Sequence, residues 1–166
     1  MEKKQNLTLI GMAGAGKSTL GVLLAKALGY DFIDTDILIQ QKHKKLLQEI
    51  IDEEGIDAFL AIEEDILSEL TIDRAIIATG GSAVYSDKAM QALKQHSTVV
   101  YLEVPYEEIL SRVKNIATRG IVLKHGNSLK DAFEERQPLY HQYADIVVDC
   151  SKKDIESTLS EIINQL

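Results

Sequence analysis

The sequence predicts an α/β fold, an open and mostly parallel sheet with helices on both faces. Two observations carry that expectation. Short apolar runs at residues 7–10, 32–33, 75–78, 99–102 and 146–148 alternate with longer helical patterns, as repeated strand–helix units do. A glycine-rich loop lies between the first run and the first helical pattern, and ligands of such sheets bind beyond the carboxyl ends of the strands.

Taken in order, the run at 7–10 leads through that loop to a helix over 19–28, which Gly29 stops. The strand at 32–33 is followed by mixed polar and apolar residues to 69, then by the strand at 75–78 and a helix over 88–93. The strand at 99–102 precedes helical patterns at 106–113 and 129–140, and the strand at 146–148 precedes a last amphipathic segment at 155–166. Ser151 and Asp154 have the spacing of a capping box opening that segment. Residues 115–127 contain Arg119, Gly120, Lys124, His125 and Gly126 with little periodicity, and read as a mobile loop.

With 166 residues, two prolines and neither a repeat nor a linker, the chain reads as one domain over 1–166. A formal net charge of -8 opposes the phosphate attraction on which nucleic-acid binders rely, so no nucleic acid is expected as partner. Cys150 is the only cysteine, which excludes an intrachain disulfide and a cysteine zinc cluster and is consistent with a reducing cytosol. The apolar stretch behind the N-terminal lysines is too short for a signal peptide, and no uncharged run approaches the roughly 20 residues that span a bilayer. A soluble, cytoplasmic protein without a membrane partner is the expectation. The basic run Lys42-His43-Lys44-Lys45 reads as a solvated face, His125 as an exposed loop residue, and Cys150 as a buried small residue.

The segment Gly11-Met12-Ala13-Gly14-Ala15-Gly16-Lys17-Ser18 matches the phosphate-loop pattern in the strand–loop–helix setting that its mechanism requires. Its glycines let the backbone turn its N–H groups inward, and the helix beginning near Lys17 presents its positive dipole end to an anion. Gly11, Gly14, Ala15, Gly16, Lys17, Ser18 and Thr19 are therefore the expected nucleotide-binding set, with Lys17 neutralising the β- and γ-phosphates of ATP and Ser18 coordinating Mg²⁺. After the second strand, Asp34-Thr35-Asp36 places two carboxylates near this loop. One can hold Mg²⁺ while the other takes or orients an acceptor hydroxyl proton; paired acidic residues after a strand also serve as solvent-facing turn residues.

These segments, with Ile76-Ile77-Ala78-Thr79-Gly80-Gly81 and Glu135-Arg136-Gln137-Pro138-Leu139-Tyr140 followed by Ala144-Asp145, make the chain resemble the shikimate kinase family nearly end to end. The resemblance implies a three-layer P-loop kinase fold with a central five-stranded parallel sheet and a mobile lid over 115–127. It implies a monomer that transfers the terminal phosphoryl group of MgATP to a hydroxyl of shikimate or a related small hydroxy acid. It also implies roles: Lys17, Asp36 and Arg119 catalytic, Asp34 with Ser18 at Mg²⁺, and Asp36, Gly80, Gly81 and Arg136 at the acceptor. Arg136 suits a carboxylate clamp because its planar fork donates two parallel hydrogen bonds, and Arg119 would stabilise charge on the transferring group. The bland alternatives make Arg136 a surface partner of Glu134 or Glu135, Arg119 a solvated loop charge, and Gly80-Gly81 a turn.

The chain departs from the family pattern where the acceptor is recognised. Leu60 in Phe59-Leu60-Ala61-Ile62-Glu63 replaces an arginine of the clamp, and Ser82 stands where the family has a third glycine. Leu60 can neither pair with a carboxylate nor donate a hydrogen bond. Arg119 is followed by Gly120 rather than the proline often found beyond it. The alternatives are thus a shikimate kinase with a rerouted clamp, a kinase of another small metabolite, including a nucleoside or nucleotide, or a non-catalytic ATP-dependent switch. Arg74 is one cation that could replace the missing charge.

Overall fold

The computed structural model describes residues 4–113 and 120–166. Five strands, β1 (Asn6–Ile10), β2 (Asp31–Asp34), β3 (Ala75–Ala78), β4 (Ser97–Glu103) and β5 (Ile146–Asp149), form one sheet in the order β2-β3-β1-β4-β5. Every pairing is parallel, with Leu9 opposite Ala78 on one side and Val100 on the other. The central strands β1 and β3 are buried throughout, whereas β2 and β5 at the edges are partly exposed. Their sequences follow: unbroken apolar residues in β3, and terminal aspartates in β2.

Among the described residues eight α-helices accompany this sheet: α1 (Lys17–Leu28), α2 (Thr35–His43), α3 (Leu47–Glu54), α4 (Ile56–Ser68), α5 (Asp87–His96), α6 (Tyr106–Arg112), α7 (Leu129–Tyr143) and α8 (Ile155–Gln165). Gly29 caps α1 in the left-handed conformation, as its position predicts. The undivided stretch before residue 69 resolves into α2, α3 and α4, broken around Lys44 at φ 53° and again at Gly55 at φ 89°. These three helices and Val122 build a second small core from Ile39, Leu47, Ile50, Phe59 and Ile66, separate from the main core on the sheet.

One helix start differs from expectation. Asp154, not Ser151, is the N-cap of α8, its carboxylate accepting from the Ser157 N–H at 2.7 Å. Ser151 instead closes the turn after β5 by donating its hydroxyl to Asp149 at 2.5 Å. Lys152, with φ 51°, reverses the chain between them, so only Asp154 is left adjacent to the first helical turn. Among the described residues no helix is long and apolar enough to cross a membrane. Of the stretch expected to form a lid, residues 115–119 lie outside the described residues, and with them Arg119.

Candidate active site

The phosphate loop leaves the carboxyl end of β1, between β3 and β4, where neighbouring connections depart in opposite directions. Gly16 holds φ 95° as the N-cap of α1, a conformation that glycine adopts without the Cβ penalty. No side chain caps that helix, so its first N–H groups are turned to the loop cavity and suit an anion. Lys17 is buried over the loop, its Nζ donating to the Gly11 and Met12 carbonyls, both at 2.7 Å.

The loop borders a cavity of about 480 Å³. On one side it is walled by Arg112, Cys150, Lys153, Asp154, Ile155 and Thr158, and on the other by Asp36, Phe59, Thr79, Gly80, Gly81, Ser82, Val122 and Arg136. Arg112 reaches across from α6 to donate to the Gly14 carbonyl at 3.1 Å. It and the β5–α8 turn are parts of the site that the sequence reading missed.

Asp34 and Asp36 separate into two environments. Asp34 ends β2 and caps α2, its Oδ1 accepting from the Asp36 N–H at 3.0 Å and the Ile37 N–H at 3.3 Å. Its Oδ2 accepts from Ser18 Oγ at 2.7 Å. Two hard oxygen donors thus sit side by side at the mouth of the loop, a set that fits Mg²⁺, which binds through one or two protein oxygens together with phosphates and waters. Asp36, one helical residue on, points into the cavity. Burial and the neighbouring Asp34 charge push its carboxyl up to about 6, against the pull of Lys17.

Opposite Asp36 stands a residue without an assigned role in the sequence reading. Glu63 on α4 is 2% exposed. Its Oε1 accepts from Ser82 Oγ at 2.6 Å, and its Oε2 is buried without a hydrogen-bond partner. The point that a Cβ of residue 80 would occupy is 2.8 Å from Asp36 Oδ1 and 2.9 Å from Glu63 Oε2. A side chain there would have to push both carboxyls aside, so the absence of a Cβ at Gly80 lets them approach the backbone closely. Burial raises the Glu63 carboxyl from its ordinary 4.5 to about 7, with the Asp36 charge adding to it and Ser82, Arg136 and Lys17 opposing.

That shift has a stability consequence with a definite sign. Between its ordinary value and about 7, the native state keeps a proton that the unfolded chain has lost, so stability is full below that window and falls as pH rises through it. Glu63 should account for on the order of 3 kcal/mol of this loss. Glu63→Gln, which keeps the acceptor for Ser82, is expected to flatten the decline in denaturation midpoint between pH 5 and pH 8, leaving the smaller contribution of Asp36.

Arg136 on α7 is 1% exposed, which removes the surface-pair alternative; Glu135 pairs with Lys124 at 2.7 Å instead. The guanidinium donates through Nε to the Tyr85 hydroxyl at 3.1 Å and through Nη2 to the Val122 carbonyl. Its Nη1 lies 3.2 Å from the Cβ position of Gly81. One turn on, Tyr140 stacks on Tyr101 with ring centroids 5.0 Å apart and donates to the Gly81 carbonyl at 2.7 Å, fixing the loop under the cavity. Asp145 lies at the other end of the sheet, accepting from the Val99 N–H and from Lys94, both at 2.9 Å.

Neither Leu60, which replaces the clamp arginine, nor Arg74, the cation proposed to compensate for it, lines the cavity. Leu60 packs against the small helical core and is not among the cavity-lining residues. Arg74 precedes β3, exposed, with its guanidinium 5.5 Å from the Tyr30 ring centre, at the amino end of the sheet. Lys17 and Arg136 are the cations against Glu63 and Asp36 among the described residues.

Comparison with known proteins agrees with this geometry. The family model described as shikimate kinase matches residues 13–166. A shikimate kinase of Pseudomonas paraeruginosa is 39% identical over 97% of this chain and 95% of its own length. One of Histophilus somni is 36% identical over 99% and 96% respectively. Among solved structures, the shikimate kinase of Acinetobacter baumannii in complex with shikimate superposes with a TM-score of 0.90 at 33% identity, covering 99% of this chain and 93% of that one. A phosphate loop, a carboxylate pair and a buried arginine around one cavity therefore come with relatedness along almost the whole sequence: this chain belongs to the shikimate kinase family.

Proposed function

We propose that the chain is an ATP-dependent kinase that transfers the γ-phosphoryl group to a hydroxyl of shikimate, acting as a monomer through a single domain of residues 1–166. The observation that carries this reading is the shared cavity, in which the phosphate loop, Asp36 and Arg136 face one space. The loop N–H groups and Lys17 bind the phosphates. Ser18 and Asp34 would hold a Mg²⁺ ion, whose contribution is to neutralise charge on the β- and γ-phosphates. Asp36 takes the proton of the acceptor hydroxyl as its oxygen attacks phosphorus and the bond to ADP breaks. Arg136 binds the acceptor carboxylate beside the Gly80 and Gly81 backbone. Arg119 receives its part, stabilising charge on the moving group, from its place in the sequence alone.

The test is ADP production by purified protein with MgATP and shikimate, compared with no acceptor and with a panel of other small hydroxy acids. Shikimate-dependent turnover supports the reading; activity on another acid alone would replace the acceptor while keeping the chemistry. Ser82 favours that second outcome as the specific alternative, because it adds a side chain to the cavity wall, while Leu60, packed on the small helical core, supplies no cation there. Leu60→Arg discriminates between them: adding a charge-assisted donor is expected to lower the KM for shikimate roughly 10-fold or more. An unchanged KM would mean that the pocket differs in shape, not only in charge.

A further inference from the structure

Arg136 is a buried cation whose hydrogen bonds all go to neutral oxygens: the Tyr85 hydroxyl, the Val122 carbonyl and the Tyr140 hydroxyl. Among the described residues it forms no ion pair. Glu63 feels its charge, but burial pushes that carboxyl up to about 7. Buried charges are normally paired, so the counter-charge is left to a ligand in the cavity that Arg136 lines. The arrangement around Tyr85 keeps it that way. Glu135, next to Arg136 in the chain, is engaged by Lys124 at 2.7 Å. Lys124, with the Tyr85 hydroxyl adding to it, holds the Glu135 carboxyl below its ordinary value. The same hydroxyl accepts the Arg136 Nε–H at 3.1 Å, and so stands between the guanidinium and the carboxylate that would neutralise it. The Tyr85 ring centre is 5.1 Å from the guanidinium carbon and 4.4 Å from Lys124 Nζ, within the cation–π range.

We propose that Tyr85 is the positioning residue of the acceptor clamp: by engaging Nε it keeps Arg136 out of an ion pair with Glu135 and leaves its other donors to the acceptor carboxylate. The inference rests on the kinase reading above and deepens it. The acceptor anion is read by one cation fixed in advance, in a site where Leu60 supplies no second. Fixing a long side chain before binding removes an ordering cost from the binding step, and Tyr85 provides that fixation from the turn that follows Gly80 and Gly81. Tyr85 does not itself line the cavity, so its effect reaches the acceptor through Arg136 and falls on acceptor affinity.

The experiment measures the KM for shikimate and for ATP in Tyr85→Phe, Arg136→Met and the double variant. Tyr85→Phe keeps the ring and removes only the hydroxyl. It is expected to raise the shikimate KM about 10-fold and to leave the KM for ATP unmoved. In the Arg136→Met background the same change should add nothing, because no Nε is left to hold. An unchanged shikimate KM in Tyr85→Phe, an equal rise in the KM for ATP, or a further loss of the same size in the double variant would each overturn the proposal. A second readout needs no turnover: the Arg136 Nε–H resonance in the proton–nitrogen NMR spectrum, assigned by its loss in Arg136→Met. Tyr85→Phe should shift that resonance and speed its exchange with water; an unmoved resonance overturns the contact. If shikimate supports no turnover in the unaltered protein, the kinase reading for that acceptor fails. The kinetic comparison then passes to the hydroxy acid of the panel that is turned over, and the Nε–H resonance still decides whether Tyr85 holds Arg136.

Discussion

Asp36→Asn is expected to lower kcat by about 10²–10⁴-fold, the range for losing a positioned general base, while the KM for ATP changes little. Asparagine has the same shape and fills the same space, but it cannot take a proton. The local fold should survive, because α2 is capped by Asp34, which accepts from the backbone N–H of residue 36 and not from its side chain. Removing a carboxylate beside Asp34 and Glu63 also relieves like-charge repulsion, so the denaturation midpoint should hold or rise. Burial places the Asp36 carboxyl at about 6, so kcat/KM of the unaltered enzyme should fall as pH drops through that value, where the base becomes protonated. That acidic limb should vanish in Asp36→Asn. A variant that turns over at the original rate would show that the acceptor proton goes elsewhere.

The two halves of this site were unequally legible in the sequence. The phosphate loop is one continuous segment whose chemistry lies in the backbone, so a local pattern contains nearly all of it. The strands were found through unbroken apolar runs; their ends were missed where polar residues such as Ser97, Glu103 and Asp31 continue the ladder. The acceptor wall is assembled from the start of α2, from α4, the turn after β3 and α7, residues far apart in the chain, and no local pattern joins them. The carboxylate pair of Asp34 and Asp36 was legible from its place after the second strand; family resemblance told the two apart and supplied Gly80, Gly81 and Arg136, but Glu63 had only one signal of its own. It lies on the stripe Phe59, Glu63, Ile66, Leu67 that α4 buries. A carboxylate on an apolar stripe needs a partner, and that partner, Ser82, was visible in the sequence only as a missing glycine. Arg112 had no such signal: it ends a helix with acidic residues in its first turn and reads as a surface ion pair, which it also forms with Glu108 at 3.2 Å.

Arg136→Met should raise the acceptor KM by about 10²-fold, the largest effect expected on binding. Methionine preserves much of the buried length and apolar contact of the side chain while removing every donor. The guanidinium is held by Tyr85 and the Val122 carbonyl and lies beside the Tyr85 ring, 5.1 Å from its centre. Binding therefore finds a cation already oriented, with little side-chain entropy left to lose. Its loss would leave an acceptor carboxylate in a cavity that contains Asp36, with Lys17 held on the phosphate-loop carbonyls, so repulsion adds to the missing attraction. Arg136→Lys should recover only part of the affinity, because a point charge cannot reproduce the planar fork. The measurement is the KM for acceptor and for ATP in parallel, with thermal denaturation to register the orphaned Val122 carbonyl separately. Equal losses for both substrates would place Arg136 in the packing between α7 and the cavity and take it out of acceptor recognition.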